Sequence, residues 1–248
     1  MLICAASRVF NMDFRPAIAQ HEKSGAAATL IYKKVQHGET STGLFLNIGP
    51  GGQLTGVADT AQGEANCFLD CMLIRRTLVL DFIECYQNLG YIDMMDIVAA
   101  NLSQLQVETW CYTGYEHAVD HARDYMKVSL DLLRPEVQAE LFPEDRPILT
   151  KTQDSPPAKY LPGAKVQNSI VAASCILSGS VENSILFRNV TIGEGAVVRN
   201  CVLMQHCVIG PGAVVEHVIC DKYVSISPNV QLSGKPETPF LIGKMQTL

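Results

Sequence analysis

The second half of the chain repeats itself every 15 to 17 residues, and this periodicity limits its fold more than any other feature. A short motif beginning with asparagine recurs at 168–171, 183–186 and 200–203, with 217–220 as a degenerate fourth copy. Aliphatic residues recur in two series, which are Ile176, Ile192, Ile209, Ile226 and Val166, Val181, Val198, Val215, Leu232. A period near 17 with sub-repeats near six predicts a three-sided, left-handed parallel β-helix of hexapeptide repeats.

Each coil of such a β-helix carries three short strands, with one aliphatic side chain per strand pointing inward. Stacked inward columns then bury a continuous core that no single coil forms alone. We expect the two aliphatic series to be such columns, with small residues at the tight corners. The segment 235–242 contains two prolines, so we expect it to stop the coiling and either cap that end or dock on a neighbour.

The first half alternates strand and helix patterns, which predicts an α/β domain with a mainly parallel sheet. A Gly-Pro-Gly-Gly turn at 49–52 predicts a hairpin. Asp13 is a candidate cap for a helix that carries Pro16 and stops at Gly25. Because a strand-like run begins at Leu2, we expect a preceding portion of this domain to be missing.

Proline content divides the two halves. Five of the twelve prolines lie between Pro143 and Pro162, a density that neither a helix nor a central strand tolerates. The predicted domains are therefore an α/β domain at 1–142, a linker at 143–163 and the β-helix at 164–248.

Composition and charge exclude several classes of protein. The formal net charge of −6 argues against a surface for nucleic acids or anionic membranes. No apolar run approaches the roughly 20 residues of a membrane-spanning helix, and residues 1–6 do not resemble a signal peptide. The nine cysteines include no C-x-x-C pair, and we expect them to be small buried residues in a reducing compartment. The expected location is the cytoplasm.

Two histidine pairs are the candidates for metal or base chemistry. His117 and His121 lie four residues apart near Cys111 and would share one face of a helix. No third ligand stands at a recognised zinc spacing, so two solvated histidines explain this pattern better. His206 and His217 are candidates for the general base of an acyl transfer. His217 stands in the asparagine position of the repeat, so corner packing explains it equally well.

Other catalytic motifs are missing from the sequence, which contains no P-loop and no G-x-S-x-G motif. The carboxylate pairs Asp93 with Asp96 and Asp120 with Asp124 are most simply helix caps and solvated faces. These residues therefore predict no catalytic centre and no metal or cofactor bound by this chain alone.

Several segments, in order, resemble a known enzyme family. They read N-M-D-F at 11–14, L-F at 141–142, R-P-I-L-T-K at 146–151, P-P-A-K-Y at 156–160 and V-E-N-S-I-L-F-R at 181–188. They resemble bacterial glucose-1-phosphate adenylyltransferase (ADP-glucose pyrophosphorylase), in particular its GlgD-type subunit. The resemblance implies that the first half is the C-terminal part of a Rossmann-like nucleotidyltransferase domain. It also implies a reaction that joins ATP and glucose 1-phosphate, releases diphosphate and needs Mg²⁺ held by carboxylates.

This chain departs from the family at the metal ligands that the resemblance implies. One metal aspartate belongs to a Gly-Asp-His motif that aligns with residues 6–8, so Ser7 stands in its place. The second metal aspartate aligns with Ala118. Neither residue brings a charge, so they cannot replace two anionic Mg²⁺ ligands. The family's Glu-Lys-Pro segment has no counterpart at 56–59, and its Gly-rich phosphate loop would precede residue 1.

These departures favour a non-catalytic regulatory or structural subunit of glucose-1-phosphate adenylyltransferase in glycogen biosynthesis. The resemblance implies a catalytic subunit as partner, in a hetero-oligomer such as a tetramer, or self-association. Lys151, Lys159 and Arg188 are candidates for binding an anionic effector, although solvated or salt-bridged side chains explain them more simply. Two alternatives stay open: an active sugar-phosphate nucleotidyltransferase with substitute metal ligands, and a hexapeptide-repeat acyltransferase.

Overall fold

The chain folds into two compact units. The first comprises Met1–Arg8 and Met12–Gly114, and the second comprises Val9–Asn11 and Tyr115–Leu248. The structure is a computed structural model, and it describes residues 1–36, 43–60, 63–86, 93–151 and 153–248. The domain boundaries expected from proline content, at 142 and 163, stay a prediction.

In the described part of the first unit, six strands form one sheet that packs with helices. The elements of this part of the chain are β1 (Leu2–Cys4), β2 (Arg8–Val9), α1 (Arg15–Ser24), β3 (Ala28–Val35), β4 (Phe45–Ile48), β5 (Leu54–Ala58), β6 (Ala65–Ile74), α2 (Arg76–Tyr86), α3 (Met94–Ala100) and β7 (Val107–Cys111). The strand order is β5-β4-β6-β3-β7, and β1 also pairs with β6. Leu30 and Ile74 of the sheet are buried in one cluster with Phe82 of α2 and Val98 of α3.

The sheet is mostly antiparallel, so the prediction of a mainly parallel sheet is wrong. Among its described strands, only β3 and β7 run parallel. Strand β6 is antiparallel to β1, β3 and β4, and β4 is antiparallel to β5. The Gly-Pro-Gly-Gly turn joins β4 to β5 as the predicted hairpin. Such a short connection reverses the chain, whereas parallel neighbours need a crossover of about a dozen residues or more.

Helix α1 ends as predicted but begins differently. Gly25 follows it with φ 62°, a left-handed conformation that glycine adopts without steric strain. Phe14, rather than Asp13, is the residue before the first turn, and no side chain caps the helix there. The Asp13 carboxylate instead accepts hydrogen bonds from the backbone and the guanidinium of Arg15.

The second unit is a parallel β-helix preceded by two helices, as the repeat predicts. Its elements from residue 117 onwards are β8 (His117–Ala118), α4 (Ala122–Asp131), α5 (Pro135–Leu141), β9 (Lys159–Tyr160), β10 (Lys165–Gln167), β11 (Ile170–Val171), β12 (Ile176–Leu177), β13 (Ser180–Glu182), β14 (Ile185–Leu186), β15 (Thr191–Ile192), β16 (Val197–Arg199), β17 (Val202–Leu203), β18 (Val208–Ile209), β19 (Val214–Glu216), β20 (Val218–Cys220), β21 (Ser225–Ile226), β22 (Gln231–Ser233) and β23 (Phe240–Ile242).

Three parallel sheets of five strands form the faces of the β-helix. Face 1 consists of β9, β12, β15, β18 and β21, face 2 of β10, β13, β16, β19 and β22, and face 3 of β11, β14, β17, β20 and β23. The strand register of face 2 confirms the valine series as one inward column, Val166, Val181, Val198, Val215 and Leu232. Face 3 contributes a third column, Val171, Leu186, Leu203, Cys220 and Ile242.

The isoleucine series is correct in three members and wrong in the first. Ile192 pairs with Ile209, but its partner in the preceding coil is Leu177. Ile176 pairs with Thr191 on the outer surface and is 40% exposed, whereas Leu177 is fully buried. The inward step here is therefore 15 residues, the same as between Val166 and Val181 on face 2.

The corners of the coils explain the recurring asparagines. Asn168, Asn183 and Asn200 have φ values of 41°, 46° and 51°, and His217 continues the corner with φ 50°. Asparagine is one of the few L-residues that enter the left-handed region readily. The side chains also contact along the corner, since Asn168 Nδ2 donates to Asn183 Oδ1 at 2.7 Å.

The closing segment does not stop the coiling, contrary to the expectation from its two prolines. Strand β23 pairs in parallel with β20, and Ile242 is buried in the inward column of face 3. The chain then adds a further bridge between Ser225 and Thr247 on face 1. The prolines lie in the loop between β22 and β23, where no ladder hydrogen bond is required of them.

The cysteines are free, but they are not all buried. Cys67, Cys71, Cys175, Cys201, Cys207 and Cys220 are buried, as expected, whereas Cys4 and Cys85 are exposed. Cys201 shows why a small residue suits the interior of a coil: its Sγ donates to the Arg199 carbonyl at 3.0 Å. Cys175 and Cys207 of the β-helix likewise donate to backbone carbonyls, those of Phe187 and Asp221.

Candidate functional site

Ser7 and Ala118 are the two positions where the family resemblance implies metal aspartates. Ser7 is exposed in the turn between β1 and β2 of the first unit. Ala118 is half-buried in β8 of the second unit and presents only a methyl group. A neutral hydroxyl and a methyl group do not make the anionic oxygen set that Mg²⁺ requires. These two residues therefore do not fit a metal site of the adenylyltransferase type.

The aspartates Asp13 and Asp70 are both paired with arginines. Arg8 Nε lies 2.8 Å from Asp70 Oδ2, and its Nη2 donates to the Phe68 carbonyl at 3.0 Å. The Arg8 side chain is only 9% exposed, so this ion pair is shielded from solvent on one side. Asp13 is bound in the same way by Arg15, with Nη2 2.8 Å from Oδ2. Both carboxylates are therefore engaged by arginines within the protein.

Carboxylates near Ala118 in the second unit are also engaged within the protein. Asp131 Oδ2 accepts a hydrogen bond from Tyr115 Oη at 3.0 Å, and Arg134 Nη2 lies 3.3 Å from Asp131 Oδ1. Burial, reinforced by this hydrogen bond, raises the pKa of Tyr115. For Asp124, burial would raise the pKa, but hydrogen bonds from His121 outweigh it and lower the pKa.

His117 and His121 do not lie on one helix face. His117 belongs to β8, and its Nε2 is buried without a hydrogen-bond partner. His121 precedes α4, where its backbone N donates to Asp124 Oδ2 at 2.9 Å in a capping box. Burial, and to a smaller extent Lys127, lowers the pKa of His117. In the described part of the chain, no three His, Cys, Asp or Glu side chains come together as a metal site would require.

The two candidate bases both lie at corners of the β-helix. His217 occupies the left-handed corner of the asparagine series, with Nε2 3.4 Å from Asn200 Nδ2. His206 has φ 64° at another corner, where its ring stacks on Tyr223 with centroids 4.7 Å apart. Each histidine thus has a packing role that requires no catalysis.

The three cationic candidates lie on separate segments of the second unit. Lys159 is exposed on β9 at the first coil, and Lys151 is exposed on the segment before it. Arg188 lies after β14, where its Nη1 donates to Gln153 Oε1 at 2.9 Å. No contact seen among the described residues joins the two lysines to Arg188, and anion binding at these residues stays a prediction.

An apolar groove of about 760 Å³ is the feature that sequence reasoning missed. It lies between α5 and face 3, lined by Pro135, Ala139, Phe142, Ile170 and Ile185 among others. Farther along the same face, Met126 of α4 covers the outward side chains of Val202 and Ile219. The signal was present in the sequence, since outward positions of face 3 carry aliphatic residues where solvent would favour polar ones.

All five helices in the described part of the chain are too short or too polar to cross a membrane.

Comparisons with known proteins agree with this architecture. Residues 156–238 match the GlmU-like, C-terminal hexapeptide family. The chain is 39% identical to the glycogen biosynthesis protein GlgD of Bacillus subtilis, and 43% identical to that of Geobacillus stearothermophilus. Each of these matches extends over 176 residues, 71% of this chain and 51% of the relative. The chain is also 33% identical over 221 residues to glucose-1-phosphate adenylyltransferase of Thermomicrobium roseum, covering 80% of this chain and 52% of the relative. It thus spans about half the length of the curated relatives it matches.

Proposed function

Because the chain is a homologue of proteins named GlgD and, more distantly, of glucose-1-phosphate adenylyltransferases, we propose that it is a non-catalytic regulatory or structural subunit of that enzyme in cytoplasmic glycogen biosynthesis. The observation that carries the proposal is the pair Ser7 and Ala118 at the two positions where the family resemblance implies metal carboxylates. The first unit retains the elements of an α/β domain, and neither Ser7 in this unit nor Ala118 in the second carries a charge. In this proposal the first unit contributes a surface for association rather than a catalytic pocket.

The absence of carboxylates at Ser7 and Ala118 matters because adenylyl transfer depends on Mg²⁺. Adenylyl transfer builds negative charge on the phosphates in the transition state, and Mg²⁺ on carboxylates neutralises much of it. The neighbouring aspartates Asp13 and Asp70 are held by Arg15 and Arg8, so neither is poised to substitute. Anionic substrate groups would have to be stabilised by other means.

We propose a catalytic subunit of the same family as the partner, in a mixed oligomer. Face 1 of the β-helix supports association, since its outward residues Ile176 and Val208 are 40% and 42% exposed. Tyr160 extends the inward column at the first coil and is 58% exposed, so that end of the solenoid is open to a neighbour. Exposed aliphatic residues on a repeating scaffold favour burial against a second protein.

The proposal is tested by co-expression with a tagged catalytic subunit, followed by size-exclusion chromatography with light scattering and a diphosphate-release assay. We expect a mixed oligomer whose apparent substrate or effector affinity differs from that of the catalytic subunit alone. The double variant Ile176→Glu and Val208→Glu should weaken the mixed oligomer, while the exposed-corner variant Glu194→Gln should not.

Two results would contradict the proposal. Separate elution of the two proteins, with unchanged kinetics of the catalytic subunit, would remove the regulatory role. Magnesium-dependent formation of ADP-glucose by this chain alone would instead favour an active nucleotidyltransferase with substitute ligands.

A further inference from the structure

We infer that Cys4 and Cys71 are a site of reversible disulfide formation within the first unit. The two residues lie directly opposite each other on the antiparallel strands β1 and β6. Their Sγ atoms are 2.7 Å apart. Both cysteines are free in the structure.

The backbone register allows the bond without moving either strand. Ala5 N donates to the Asp70 carbonyl at 2.9 Å, and Ile74 N donates to the Met1 carbonyl at 2.9 Å. Hydrogen-bonded pairs alternate along an antiparallel ladder, so Cys4 and Cys71 form a non-hydrogen-bonded pair. The Cα atoms of such pairs lie about 4.5 Å apart, within the range of about 4.4–6.8 Å that a disulfide spans.

The two thiols differ in access, which sets the order of the chemistry. Cys4 is exposed, whereas Cys71 is fully buried and burial raises its pKa. A low-molecular-weight disulfide such as oxidised glutathione therefore reacts first at Cys4. The Cys4 thiolate attacks one glutathione sulfur, the glutathione S–S bond breaks, and one glutathione thiolate leaves.

The buried thiol completes the exchange. The Cys71 thiolate attacks Cys4 Sγ, the mixed disulfide breaks, and the second glutathione thiolate leaves. The two protein thiols lose two electrons and their two protons, and oxidised glutathione gains both to become two molecules of reduced glutathione. In a reducing compartment such a bond is transient and responds to the ratio of the two glutathione forms.

The bond would add a covalent link between two strands that are already paired by backbone hydrogen bonds. The turn after β1 leads to Arg8, whose guanidinium binds Asp70, the residue next to Cys71. A covalent link between Cys4 and Cys71 would close a loop of 67 residues and restrict the unfolded chain. Oxidation is therefore expected to stabilise the first unit without altering Ser7 or Ala118.

The experiment equilibrates the full chain with mixtures of reduced and oxidised glutathione, then maps peptides by mass spectrometry without reduction. We expect a Cys4–Cys71 linked peptide that disappears on reduction, and a thermal midpoint that rises by about 5 °C or more in the oxidised protein. Cys4→Ser should abolish both effects, and Cys85→Ser, which removes an exposed thiol on α2, should abolish neither. Cys71→Ser should leave Cys4 carrying a stable glutathione adduct.

If Cys71→Ser fails to fold, Cys4→Ser alone decides the question, because Cys4 is at the surface. Absence of the linked peptide at every glutathione ratio, or linkage of Cys4 to another cysteine, would overturn the inference. An adduct on Cys71 in Cys4→Ser would overturn the assigned order of attack. None of these outcomes depends on whether the chain regulates an adenylyltransferase.

Discussion

At the scale of single residues, adjacent residues in one strand of the β-helix alternate between the buried interior and the solvent-exposed surface. Ile176 and Leu177 are both branched aliphatic residues, and a periodicity alone does not distinguish them. The structure places Leu177 in the column with Ile192 and Ile209, and leaves Ile176 on the outer surface. Burial rather than residue type therefore decides how much each side chain stabilises the coil.

We predict that Leu177→Asp destabilises the protein by about 4 kcal/mol or forces the new carboxyl to stay protonated. Ile176→Asp should cost about 1 kcal/mol or less, since that side chain is already in contact with water. Thermal or urea unfolding of the two variants is the measurement. Equal midpoints would show that the inward register of face 1 is incorrect.

The partly buried ring of His117 is expected to make the free energy of unfolding depend on pH. Its folded pKa is lowered by burial, so the folded state disfavours the protonated ring. The stability that the neutral ring contributes is present above its ordinary pKa of 6.5 and is lost as the pH falls through the lowered value. Urea unfolding at pH 7.5 and at pH 5.5 should therefore show a smaller loss of stability in His117→Gln than in the original chain. His206→Gln, which replaces a histidine at an exposed corner, is the matched control.

At the scale of elements, the coil of the β-helix depends on left-handed corners. Asn189 has φ 61° at one corner, and Gly195 and Gly212 have φ values of 69° and 70° at another. The left-handed backbone conformation costs about 1–2 kcal/mol for most residues with a Cβ, and asparagine and aspartate adopt it more readily. The corners thus explain why asparagine and glycine punctuate the repeat.

Asn189→Ala is expected to destabilise the second unit by about 1 kcal/mol because alanine is strained at positive φ. Asn189→Gly should change the free energy of unfolding by less than about 0.5 kcal/mol, since glycine adopts the same conformation freely. Urea unfolding of both variants measures the difference. An alanine variant as stable as the glycine variant would argue against a left-handed corner at this position.

At the scale of the whole molecule, two units with different architectures share one chain, and the two positions where the family resemblance implies metal aspartates are divided between them. Ser7 belongs to the first unit and Ala118 to the second. Restoring charge at both positions tests whether these residues are the sole obstacle to catalysis. The 248 residues also contain no Gly-rich phosphate loop to hold a triphosphate.

The double variant Ser7→Asp and Ala118→Asp should therefore still form no ADP-glucose from ATP and glucose 1-phosphate. A diphosphate-release assay with an active adenylyltransferase as positive control provides the measurement. Circular dichroism is used to check that the variant is folded. Magnesium-dependent turnover in the double variant would mean that the missing carboxylates alone silenced the site.

Part of the candidate site could be predicted from residue types, because neither serine nor alanine supplies the anionic oxygen of a carboxylate. Ser7 and Ala118 were identified in that way, through the family resemblance. The occupation of Asp70 by Arg8 could not be, since the two residues are 62 positions apart and meet only through strand pairing. The same holds for the groove beside α5, whose two walls come from distant segments.

The sequence by itself determined the β-helix, since each coil repeats the same local chemistry: inward aliphatics, left-handed asparagines and small corner residues. Tertiary structure alone decided the direction of the strands around β6, the choice of Leu177 over Ile176, and the cover that Met126 provides for Val202 and Ile219. It also decided that Cys4 faces Cys71. The physical reason is the range of the interactions: a repeat fixes conformation through neighbours along the chain, whereas pairing and burial depend on segments that only the folded chain brings together.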